Sequence, residues 1–177
     1  FVYYQRGRAE EALELIEETF TQGLAGSQSA RLLRLRSRAL RDLGRYREAL
    51  QAIREYVALE PGDGGGRFEY LTLLFRLGEY QRLLEELEKP GAEISGADAD
   101  YLKGLAGVGL SPDQEAVDTL SGLEGSETLE PYRLYYLAWA QYRLGRNRAA
   151  LESFDRISEE RTSPFADGKC DVADIGT

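Results

Sequence analysis

Leu43-Gly44-Arg45-Tyr46-Arg47-Glu48-Ala49-Leu50 sets a glycine between two apolar runs of helical spacing. Upstream, Leu32, Leu33, Leu40 and Leu43 recur at helical intervals. Downstream, Tyr46, Ala49, Leu50, Ile53 and Val57 form a second stripe, which Pro61 and Gly62 stop. Glycine is a poor interior helix residue but suits a left-handed C-terminal cap. The stretch therefore predicts two amphipathic helices joined by a short turn, an antiparallel helical hairpin.

The pattern repeats. Gly44-Arg45-Tyr46 returns as Gly78-Glu79-Tyr80, an offset of 34, and again as Gly145-Arg146-Asn147. A small or apolar residue follows at Ala49, Leu83, Ala116 and Ala150. An earlier copy is expected to end in Ala12, with Gly7-Arg8-Ala9 in the glycine slot and a short insertion around Gly23 to Ser29. One hairpin cannot bury both its faces, so copies must stack.

These units resemble tetratricopeptide repeats, a helix-turn-helix family. Leu134, Leu137, Ala138, Gly145, Ala150 and Phe154 carry the best match. Leu33, Ser37, Leu40, Ala49, Ile53 and Pro61 carry the next. The copies near 67–90 and 101–124 depart from the pattern at Leu71, Leu83 and Ser111-Pro112-Asp113. The resemblance implies an all-α, right-handed superhelical solenoid of stacked hairpins. The expected organisation is a repeat domain over 1–158, with a half repeat at 1–22 and repeats at about 30–61, 66–91, 97–124 and 131–158. A tail at 159–177 is irregular or truncated. Asp63-Gly64-Gly65-Gly66 and residues 121–130 read as flexible joints. With no initiator Met, the chain reads as a fragment or a processed form.

Composition narrows the function. The 177 residues carry 22 Lys plus Arg against 31 Asp plus Glu, a net charge of −9, which argues against a general nucleic-acid binder. No run is long and apolar enough for a membrane span. The absence of His removes the commonest catalytic base and metal ligand. Cys170 alone forms neither an internal disulfide nor a multi-Cys metal site. The glycine clusters lack the Lys-Ser/Thr of a phosphate loop. Gly104-Leu105-Ala106-Gly107 reads as a place for close helix packing. The sequence thus points to a protein that is not an enzyme, with no cofactor and no metal. Arginine over lysine, 19 to 3, points to a bacterial source, while the compartment stays open between cytoplasm and envelope.

By the resemblance, the first helix of each hairpin lines a concave groove, and the usual role is binding a peptide or protein. Two clusters stand out there. Arg31, Arg34, Arg38 and Arg41 are spaced 3, 4 and 3 apart and share one helical face. Residues 31–47 hold seven Arg and one acid. Guanidinium forks fit carboxylates. The competing reading is a structural ion network with the acidic preceding helix, Glu10 to Glu18. The Lys/Asn clamp by which some tetratricopeptide domains grip chaperone C-termini is not matched, since Arg34, Arg38, Glu69 and Thr72 occupy its neighbourhood. The second cluster is aromatic: Tyr132, Tyr135, Tyr136, Trp139 and Tyr142 form one stripe. Ordinary packing between repeats is its competing reading. Phe68, Phe75 and Tyr101 occupy comparable positions and would extend the lining. The expected partner is a protein or peptide, acidic with apolar anchors. A self-assembling homo-oligomer, and a regulatory segment of a larger enzyme or transcription factor, are the alternatives.

Overall fold

The structure is a computed structural model of the 177-residue chain, described for residues 2–21, 27–91, 93–123 and 130–159. The tail beyond Glu159, with Cys170, lies outside these residues, as does most of the 121–130 joint and the start of the expected 23–29 insertion. The described residues form nine helices and no strand: α1 (Val2–Thr21), α2 (Ser27–Asp42), α3 (Tyr46–Leu59), α4 (Gly64–Arg76), α5 (Tyr80–Glu88), α6 (Gly96–Leu110), α7 (Gln114–Ser121), α8 (Glu130–Arg143) and α9 (Asn147–Glu159). The protein is an all-α helical-repeat fold.

The glycine slots behave as their chemistry requires. Gly44, Gly78 and Gly145 have φ of 76°, 70° and 75°, the left-handed region that a Cβ disfavours. After α2, Gly44 N–H donates to Arg41 O (2.9 Å) and Arg45 N–H to Leu40 O (2.8 Å). After α8 the same pair recurs, Gly145 N–H to Tyr142 O (2.9 Å) and Arg146 N–H to Gln141 O (2.8 Å). This is the Schellman pattern, which satisfies the last carbonyls and reverses the chain. The small-residue slot is interior each time, with Ala49, Leu83, Ala116 and Ala150 all buried.

The chain divides into two compact units. In the first, Phe1–Leu77 with Glu88–Ile94, α1 packs on α2, α2 on α3 and α3 on α4. Its core holds Leu33, Leu40, Leu50, Ile53, Leu71 and Leu74. In the second, Gly78–Leu87 with Ser95–Thr177, α6 packs on α7, α8 on both, and α9 on α8. Leu102, Leu105, Leu120 and Leu134 are fully buried there. Burying such a leucine contributes about 2 kcal/mol.

Three local expectations change. No turn occurs at Gly7: α1 runs through it unbroken from Val2 to Thr21. Gly64-Gly65-Gly66 is no flexible joint but the first turn of α4. Asp63 caps it, accepting from Gly65 N–H at 3.0 Å. Gly66 is there because a Cβ would collide with the Tyr56 ring. At the third point, Gly104 does permit close packing, since a Cβ would meet Leu120 Cδ2 at 2.8 Å, but Gly107 faces open space. The second close approach on α6 is Gly109, whose missing Cβ leaves room for the Tyr80 ring.

Candidate interaction surfaces

The first unit holds the arginine face. Arg34 reaches from α2 to α4 and its cap: Nη1 lies 2.6 Å from Asp63 Oδ2, and Nη2 lies 2.8 Å from Glu69 Oε1, with Nε also donating to that oxygen. Its guanidinium also sits over the Tyr56 ring, 5.4 Å from the centroid. The Tyr56 hydroxyl donates to Asp63 Oδ2 at 2.5 Å. Arg38 adds a 2.5 Å contact to Glu69 Oε1.

Electrostatics follow from this geometry. The Glu69 side chain is only 16% exposed, and burial alone would push its carboxyl up. The bonds from Arg38 and Arg34 outweigh that and hold it below the usual range. Asp63 is held low by the Tyr56 hydroxyl first, then by Arg34 and the first-turn amides of α4. The hydrogen bond to Glu69 raises Arg34.

The arginines therefore divide. Arg34 is an internal bridge, saturated by two acids. Arg38 shares one of those acids but keeps its side chain 45% exposed. Arg41 lies 3.5 Å from its neighbour Asp42. Arg31 is exposed and makes no ion pair among the described residues. The ion network foreseen as the competing reading exists, with α4 rather than α1 as its main partner. Arg36, outside the expected face, pairs with α1, through Glu17 at 2.8 Å. Thr72 and Phe68 flank Glu69 on α4, both part-exposed, and Phe75 is buried in the core.

The second unit holds the aromatic stripe. Tyr135 and Trp139 are part-exposed, and Tyr142 is 62% exposed. Tyr135 meets Tyr136 edge-on at 5.5 Å and Phe154 of α9 at 6.1 Å. Arg143 caps Trp139, 5.6 Å above its ring. Tyr101 departs from the expectation. It is fully buried, so it lines no surface, and its hydroxyl donates to Glu130 Oε2 at 2.7 Å.

That bond belongs to a network absent from the sequence reading. Arg133, 5% exposed, donates to both Glu130 oxygens and to Leu120 O at the end of α7 (2.8 Å). Arg156 of α9 lies 3.8 Å from Glu130. The bond from Arg133 is the main cause holding the Glu130 carboxyl low. The signal available in sequence was an arginine inside the apolar run of α8. Glu130, Arg133 and Arg156 line an open cleft of about 500 Å³ together with Ser121, Gln141, Glu152 and Ser153. Its charges are matched within the protein.

Among the described residues no group of three or more Cys, Asp or Glu is placed to hold a metal ion. Nor is any described helix long and apolar enough to cross a membrane.

Comparison with known proteins agrees on fold. No protein-family model matches the sequence, nor does any curated protein. Similar solved structures include two of MamA. "MamA 41-end from Desulfovibrio magneticus RS-1" superposes with a TM-score of 0.65 at 23% identity, covering 92% of this chain and 90% of that one. "MamA RS-1 ArsTM double mutant" gives a TM-score of 0.63 with the same identity and coverage. The shared fold is tetratricopeptide-like.

Proposed function

We propose that the protein is a non-catalytic interaction scaffold that holds a peptide or protein segment against the exposed faces of its first-position helices. The tetratricopeptide-like fold supports this, since such hairpins present side-chain rows on a rigid backbone. The observation that carries it is the outer edge of α2. Arg31 and Arg38 are exposed on α2, and Phe68 and Thr72 are part-exposed on α4, while the Arg34–Glu69 and Arg38–Glu69 pairs tie the two helices together. An acidic segment with an apolar residue fits that edge. Tyr135, Trp139 and Tyr142 are proposed as a separate aromatic contact.

The test is capture from source-cell extract on three baits: wild type, Arg31→Glu/Arg38→Gln, and Trp139→Ala. Circular dichroism first establishes equal folding. Arg34 is left intact because it is structural, and Arg38→Glu is avoided because it would set a second acid against Glu69. A partner held by wild type and lost from the arginine variant supports the proposal. Identical partners on all three baits refute it.

A further inference from the structure

Arg34 and Arg38 share one acid, and they depend on it unequally. Glu69 Oε1 accepts from Arg34 Nε (3.1 Å) and Nη2 (2.8 Å) and from Arg38 Nη2 (2.5 Å). Arg34 also holds Asp63, so it bridges α2 to α4 and its cap whether or not Arg38 takes part. Arg38 is the outer member. Its side chain is 45% exposed, and its second contact with Glu69, from Nε to Oε2, is long at 3.4 Å. An exposed pair of this kind is weak and exchanges readily. Seven residues earlier on the same face, Arg31 is exposed and makes no ion pair among the described residues. The helical rise sets the two arginines about 10 Å apart along α2.

We infer that Glu69 is a built-in competitor at the α2 edge: it holds Arg38 until a carboxylate of the ligand takes its place. The inference rests on the reading of that edge as a site for an acidic segment. The exchange strands no charge, because Glu69 keeps both bonds from Arg34 when Arg38 turns away. The same exchange at Arg34 is disfavoured, since it would leave Asp63 and the largely buried Glu69 short of donors. The ligand therefore takes Arg31 and Arg38 and leaves Arg34 in place. Arg31 gives up no ion pair among the described residues, whereas Arg38 trades one carboxylate for another, so Glu69 lowers affinity at one of the two contacts. A segment with two acids on one side at the arginine spacing engages both. In polyproline II conformation, residues i and i+3 lie on one side about 9 Å apart, which matches.

The probe is a fluorescein-labelled Pro-Glu-Pro-Pro-Glu-Pro peptide, with the Gln-Pro-Pro-Gln version as control. Anisotropy is read on the full chain at low salt, where exposed ion pairs are least screened. The acidic peptide binds wild type and the control does not. Glu69→Gln tightens binding about fivefold, the worth of one exposed ion pair, while its amide oxygen still accepts from Arg34. Glu48→Gln, which removes one acid from α3, leaves affinity unchanged and so controls for net charge. Arg31→Gln weakens binding to wild type and Glu69→Gln backgrounds alike. Nitrogen-15 spectra of the arginine Nε–H groups in wild type keep the test independent of how any variant folds: the peptide moves the Arg38 signal and leaves that of Arg34 in place. Equal or weaker binding by Glu69→Gln, an equal gain in Glu48→Gln, or movement of the Arg34 signal overturns the inference and leaves the edge reading standing. No binding by any variant, or binding indifferent to Arg31→Gln and Arg38→Gln, overturns the edge reading and the inference with it.

Discussion

The hydroxyl of Tyr101 in α6 donates a 2.7 Å hydrogen bond to the carboxylate of Glu130 in α8, and this pair joins elements 29 residues apart. Its counterpart in the first unit is Tyr56, whose hydroxyl holds Asp63 at 2.5 Å. In both, the acid stands at a helix start and an arginine takes its remaining valence: Arg133 for Glu130, Arg34 for Asp63. A carboxylate at a helix N-terminus is favoured by the helix dipole. Together tyrosine, acid and arginine fix where the next helix begins.

Tyr101→Phe removes one hydrogen bond but leaves Glu130 paired with Arg133. It should cost about 1 kcal/mol. Glu130→Ala strands the buried Arg133 guanidinium and should cost about 3 kcal/mol or more. Urea unfolding of the two variants checks the order. Equal losses would mean that Arg133 finds another partner.

Acid should unfold the protein, and neutral pH should not perturb it. Glu130, Asp63 and Glu69 are held below their usual range when folded. Their contribution is fully present above the unfolded carboxylate pKa of about 4, and is lost as pH falls through the lower folded values. With no His in the chain, nothing of imidazole type titrates between pH 5 and 8. Melting temperature should therefore be flat from about pH 8 to 5 and drop below about pH 4. Glu130→Gln should be less stable at neutral pH and show a shallower drop.

Two glycines separate conformational from steric cost. Gly44→Ala meets no atom within 4 Å but must adopt φ of 76°, so it should lose about 1 kcal/mol. Gly66→Ala has an ordinary helical backbone but drives its methyl into the Tyr56 ring. It should lose more, about 2 kcal/mol, because Tyr56 can yield only by releasing Asp63. Thermal unfolding of both variants reads the difference.

Arg34 and Arg38 look alike in sequence but should separate in stability. Arg34→Ala leaves Asp63 and the largely buried Glu69 short of donors and should cost about 2 kcal/mol. Arg38→Ala removes a 45%-exposed side chain and should cost under about 1 kcal/mol. Denaturant titration of the pair distinguishes a structural bridge from an outer, partner-facing arginine.

Chain order and helix type were open to sequence because they rest on local rules. Gly44, Gly78 and Gly145 end helices through backbone conformation alone, and Ala49, Leu83, Ala116 and Ala150 mark a crowded slot through size alone. The two clusters of candidate residues were also visible, since helical spacing tells which residues share a face. What the spacing cannot reveal is which neighbour that face meets. Four arginines on one stripe of α2 became one saturated bridge, one half-exposed contact, one local pair and one solvent-facing residue, because Glu69 arrives from α4 and Asp63 from its cap. Tyr101, in an aromatic position like the others, went to the interior because Glu130 could satisfy its hydroxyl there. Leu50 and Leu151 are the same residue in the same slot, one covered and one bare. Sequence alone settled the repeating hairpins, which depend on contacts a few residues apart. Burial and pairing depend on groups brought together across 29 to 35 residues, and only the tertiary structure decides those.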